Sequence, residues 1–89
     1  MDNLMSETQV TAIANELQRR VHSGEAEGDI VVVTLISMAK AGRLSSEHIN
    51  KILLTIYGDK VKILAVLIEA QKVMNEDLVN SIISEVRAT

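Results

Sequence analysis

The stretch Gly28-Asp29-Ile30-Val31-Val32-Val33-Thr34-Leu35-Ile36-Ser37-Met38-Ala39-Lys40 decides the fold. Its β-branched run, residues 30–34, suits a buried strand, because two heavy atoms on Cβ stiffen χ1 and pack well on a pleated surface. Read at helical spacing, the same residues make a helix that is apolar on every side of its first turn. Its bulky face is Val31, Val32, Leu35, Ile36 and Met38, and its opposite stripe is Ile30, Val33, Thr34, Ser37 and Ala41, uncharged and mostly small.

A second segment favours the helix. A shift of thirty residues places Gly28-Asp29 on Gly58-Asp59, Val31 on Val61, Leu44-Ser45 on Met74-Asn75, Asn50 on Asn80 and Ile52 on Ile82. The later unit has a clearer helical pattern, with Lys62, Glu69 and Lys72 forming a narrow polar stripe, and it lends its assignment to the earlier one. The correspondence has one inconsistency. Carried back thirty residues, that exposed stripe falls on the side of Val32, Leu35 and Ala39, which the apolar pattern assigns to the core.

Three places share a local signal in which an apolar residue precedes Ser or Asn and another follows four positions after it. They are Met5-Ser6 with Val10, Leu44-Ser45 with Ile49, and Met74-Asn75 with Val79. A short polar side chain there accepts from an orphan N–H while the apolar pair fixes how the chain enters the helix. Each predicts a helix start. Ser6 with Gln9 adds a capping box, whereas the equivalent third positions are His48 and Leu78, so the first start is the best specified. Apolar residues then recur at helical spacing: Val10, Ile13, Leu17 and Val21; Ile49, Ile52, Leu53 and Ile56; Val79, Ile82, Ile83 and Val86. Between these helices lie 30–41 and 60–73, bounded by Gly28-Asp29, Gly42 and Gly58-Asp59, where Asp suits a start and Gly a left-handed stop. The expectation is an all-α fold: a compact bundle of about five short helices built from helical hairpins, in one domain over residues 1–89.

With 89 residues, 47% of them apolar and 24% charged, the chain has room for one core and too little charge to remain unfolded. It lacks cysteine and proline, which excludes a disulfide framework, a thiolate metal cluster and a thiol nucleophile. The N-terminal residues carry no basic segment or long apolar run, and the uncharged run 30–39 is half a bilayer crossing, so the location expected is cytoplasmic and no membrane partner is expected. Net charge is −3 with both signs scattered, which leaves no broad electrostatic footprint for nucleic acid.

Ser45-Ser46-Glu47-His48 holds a hydroxyl, an acid and a base, but adjacent helical residues point about 100° apart and cannot converge on one proton. A cap with an acidic first turn accounts for it. His22 and His48 lack the spacing that would put two ligands on one helical face, and His22 with Glu25, Glu27 and Asp29 reads as a solvated connector. No catalytic residue, cofactor or metal ligand is assigned. Residues 35–56 resemble a helix-turn-helix in outline, yet the candidate recognition helix opens with Glu47 where phosphate binding calls for donors and cations. Arg19, Arg20, Lys40 and Arg43 are the basic positions available to a small DNA-associated regulator, the alternative function.

An 89-residue chain has little material to cover both sides of helix 30–41. Its stripe of Ile30, Val33, Thr34, Ser37 and Ala41 therefore reads as an association surface, for a second copy in a homodimer or for another protein. Leu54, on the polar side of its helix near Tyr57, extends this as a second patch. The function expected is non-enzymatic: a small regulator, adaptor or inhibitor that works by binding protein.

Overall fold

A computed structural model describes residues 4–88. Among these there are five helices and no strand: α1 Glu7–His22, α2 Gly28–Lys40, α3 Ser46–Tyr57, α4 Lys60–Met74 and α5 Asp77–Ala88. The ambiguous stretch is helical throughout. Its β-branched residues give up a few tenths of a kcal/mol each in helix propensity, while full burial of a Val, Leu or Ile side chain contributes about 1.5–3 kcal/mol. Burial wins, since Val31, Val32, Leu35 and Ile36 are all fully enclosed.

Helices α1 and α3 lie side by side and run the same way, as do α2 and α4. At the start of the α1/α3 pair, Glu7 meets Lys51 at 3.0 Å and His48 at 3.3 Å; further along, the Gln18 side chain donates to the Thr55 carbonyl at 3.1 Å. In the α2/α4 pair, Gly28 lies against Val66 and the Lys40 ammonium reaches Glu76 at 3.0 Å. Helices α4 and α5 form an antiparallel hairpin, tied at one end by Gln71 to Asn80 and at the other by Lys60 Nζ donating to the Arg87 carbonyl. Helix α3 is central: it packs against all four others, and its Ile49, Ile52, Leu53 and Ile56 are buried.

Three helix starts form as their residues predict; at α4, Asp59 Oδ1 accepts from the Val61 N–H at 2.9 Å. Ser6 Oγ accepts from the Gln9 N–H at 3.2 Å and Gln9 Oε1 accepts from the Ser6 N–H at 2.9 Å. Ser45 Oγ accepts from the His48 N–H at 3.1 Å, and the His48 ring nitrogen Nδ1 accepts from the Ser45 N–H at 3.4 Å. Imidazole thus takes the place of Glu or Gln, and the second start is as fully boxed as the first. The flanking apolar pairs, Met5 with Val10 and Leu44 with Ile49, are buried, and the Met5 N–H donates to the Arg43 carbonyl at 2.9 Å, tying the two starts together.

Two starts are shifted. Helix α2 begins at Gly28 with Glu27 at its N-cap and no side-chain cap bond, so Asp29 lies within the first turn. Asn75 closes α4, left-handed at φ 45°, and α5 begins two residues later at Asp77. A short polar residue between two helices can serve either one, and Asn tolerates the left-handed region that ends a helix.

The thirty-residue correspondence holds for one helix pair only. It carries the buried Ile49, Ile52, Leu53 and Ile56 of α3 onto the buried Val79, Ile82, Ile83 and Val86 of α5. For α2 and α4 it fails, because the buried Ile63, Leu67 and Ala70 would then match Val33, Ser37 and Lys40. A shift of thirty-one instead aligns Val32, Ile36 and Ala39 with them, and aligns Ile30, Thr34 and Ser37 with the equally exposed Val61, Ala65 and Ile68. One residue of slip rotates a helix by about 100°, which brings these buried positions into line, although the exposed Lys62 then falls on the buried Val31.

Candidate interaction surface

Helix α2 turns Ile30, Thr34, Ser37 and Ala41 to solvent, opposite its buried face, with Val33 half-buried on the shoulder. Ile30 is 54% exposed. The Thr34 hydroxyl donates to the Ile30 carbonyl at 2.9 Å, so this residue offers its methyl group outward and keeps its polar atom satisfied within the helix. The result is an uncharged strip along one side of the helix.

Leu54 projects from α3 and is 55% exposed. Tyr57, one turn further on, is half-buried and packs against the core. Its hydroxyl oxygen is buried without a hydrogen-bond partner among the described residues and lies against Gly28, at the first turn of α2. Burial raises the tyrosine pKa above its ordinary value, since the phenolate would be poorly solvated there. The structure thus brings Tyr57 to the beginning of α2, while Leu54 stands on the outer side of α3.

Helix α4 presents more apolar surface than its sequence stripe suggests. Lys62, Glu69 and Lys72 do face water, but so do Val61 (72% exposed), Val73 (69%), Ile68 (40%) and Ala65. A signal for this is present in the sequence, because the apolar residues of 60–73 run most of the way round the helix. Between the first turn of α2 and α4 lies an open cleft of ≈ 400 Å³ lined by Glu27, Gly28, Asp29, Ala65, Val66, Glu69 and Val73. Carboxylates rim it and aliphatic carbon forms much of its wall.

The basic positions are largely engaged. Arg19 pairs with Glu16 at 2.8 Å and Glu25 at 3.0 Å, Arg20 with Glu16 at 2.9 Å, and Lys40 with Glu76. Hydrogen bonds from Arg19 and then Arg20 hold the Glu16 carboxyl down to about 2. Among the described residues no group of three His, Asp or Glu is placed to hold a metal ion, and no helix is long and apolar enough to cross a membrane.

Fold and surface together define a small all-α protein whose distinguishing features are an exposed uncharged side on α2, an exposed side of α4 that mixes aliphatic and charged residues, and a shallow acid-rimmed cleft. Compared with known proteins, the chain matches no family model, no curated protein and no solved structure.

Proposed function

We propose that this protein is a non-enzymatic interaction module, a small regulator, adaptor or inhibitor of the cytoplasm that acts by binding another protein, itself included. The observation that carries the reading is the outward side of α2. Ile30, Thr34, Ser37 and Ala41 are uncharged, exposed and continuous along three turns, on a helix whose other side is fully enclosed. A partner helix or loop laid there would displace water from aliphatic surface with no buried charge to desolvate, and small residues at Ser37 and Ala41 would let its backbone approach closely.

The test is capture from the source cells with the wild type and Ser37→Arg as baits. A guanidinium at position 37 adds volume and an unpaired charge in any packed contact, yet on a solvent face it changes stability by only about 0.5 kcal/mol. The expected result is a folded variant that no longer retains a protein bound by the wild type. Identical captured sets would overturn the α2 surface. Retention on nucleic acid that falls steeply with salt would point instead to Arg19, Arg20, Lys40 and Arg43.

A further inference from the structure

The outer side of α4 carries exposed apolar residues near both ends and charges of both signs between them. Its two most exposed large hydrophobic residues, Val61 and Val73, stand near opposite ends, about 18 Å apart at 1.5 Å per residue. Val61 lies beside Lys62, whereas Val73, next to Lys72, lines the cleft that Glu27, Asp29 and Glu69 rim. Ala65, exposed and small, separates the two ends. With Lys62 toward one end and Glu69 toward the other, this side complements itself when turned through 180°, which is the requirement for an isologous two-fold contact.

We infer that two copies of this chain pair through α4, antiparallel about a two-fold axis crossing near Ala65, so that Lys62 of each copy meets Glu69 of the other. The same register sets Asp59 opposite Lys72, so the second pair of charges is also complementary. Among the described residues Glu69 pairs with Lys72, at 3.4 Å with both side chains largely exposed, and such a pair is weak enough to exchange partners. Val61 of each copy is directed toward the apolar wall beside Val73 of the other. Ala65 at the centre allows close approach of the two helices. This pairing does not depend on α2 binding anything. It leaves the α2 strip free for a different protein.

The experiment is sedimentation equilibrium on purified Lys62→Glu and Glu69→Lys, alone and mixed. Alone, each variant places like charges together twice across the two-fold, and self-association should weaken about tenfold or more. In the mixture, the new carboxylate of Lys62→Glu faces the new ammonium of Glu69→Lys, and the unaltered Glu69 of the first chain faces the unaltered Lys62 of the second. Both contacts are again complementary, so a heterodimer should form with close to wild-type affinity. Both positions are exposed, and recovery on mixing shows that the variants are folded. A wild-type monomer, single variants that still dimerise, or a mixture that stays monomeric would each overturn the pairing. Loss of the dimer in Ser37→Arg alone would move the two-fold contact to α2 while leaving the protein-binding reading intact.

Discussion

A Cβ placed on Gly28 would lie 3.2 Å from the Tyr57 hydroxyl oxygen, tighter than ordinary van der Waals contact, and 3.2 Å from a methyl of Val66. The first turn of α2 is thereby seated against both α3 and α4. In an open helix Gly→Ala stabilises by about 1 kcal/mol. Here the added methyl must displace two neighbours at once, so Gly28→Ala should be neutral or destabilising in urea melts, and a full gain of helix propensity would show that the first turn is loosely held.

The Tyr57 oxygen in that contact is buried and unpartnered among the described residues. Removing it relieves a desolvated polar atom, so Tyr57→Phe should raise stability by about 1 kcal/mol, and Gly28→Ala should cost less in that background. A clear loss of stability in Tyr57→Phe would mean that the hydroxyl has a partner in solution.

The Ser45 N–H can only donate, so the His48 Nδ1 facing it is the unprotonated ring nitrogen, and the ring proton sits on Nε2, directed at Glu7. One imidazole therefore closes the cap of α3 and fastens α1 to it. Ser45→Ala should cost about 0.5–2 kcal/mol, while Ser46→Ala, which loses an exposed hydrogen bond to Glu85, should cost less. Denaturant melts giving the reverse order would put the cap at Ser46.

Adjacent residues of α3 should differ sharply. Leu53 is fully buried and Leu54 is 55% exposed. Leu53→Ala is expected to lose about 2–5 kcal/mol through transfer and cavity terms, whereas Leu54→Ala should stay within about 0.5 kcal/mol in the free protein. Thermal or urea melts of the two variants check the rotation of α3.

Glu16 supplies a pH test. Its carboxyl is lowered from 4.5 to about 2 by Arg19 and Arg20, so its contribution is complete above the unfolded value and disappears as pH falls from about 4.5 through about 2. The cluster is solvent-exposed, so the effect should be small and weaken with salt. Stability measured across that window should fall less steeply in Glu16→Gln than in the wild type; equal slopes would show that the Arg contacts do not persist in solution.

Most of the fold is legible in the sequence because local signals agree. The Ser6 and Ser45 caps, their flanking apolar pairs and the 3.6-residue pattern all specify the same starts, and α3 and α5 bury the residues that their spacing predicts. Asn75 ends α4 instead of starting α5, because a polar residue between two helices does not reveal which one it serves. The start of α2 departs from expectation because Gly28 is selected by the closeness of Tyr57 and Val66, a tertiary contact with no local signature. The α2 stripe is visible as a run of uncharged positions. The α4 face is hidden, since three charged residues at helical spacing suggest a solvated side and mask Val61, Ile68 and Val73 beside them.

The molar mass of the wild-type chain at micromolar concentration, measured by sedimentation equilibrium, tests most directly the claim that two copies pair through α4. The account predicts a dimer that dissociates on dilution and weakens as salt screens the Lys62–Glu69 contacts. A monomer at every concentration, unaffected by salt, would contradict it.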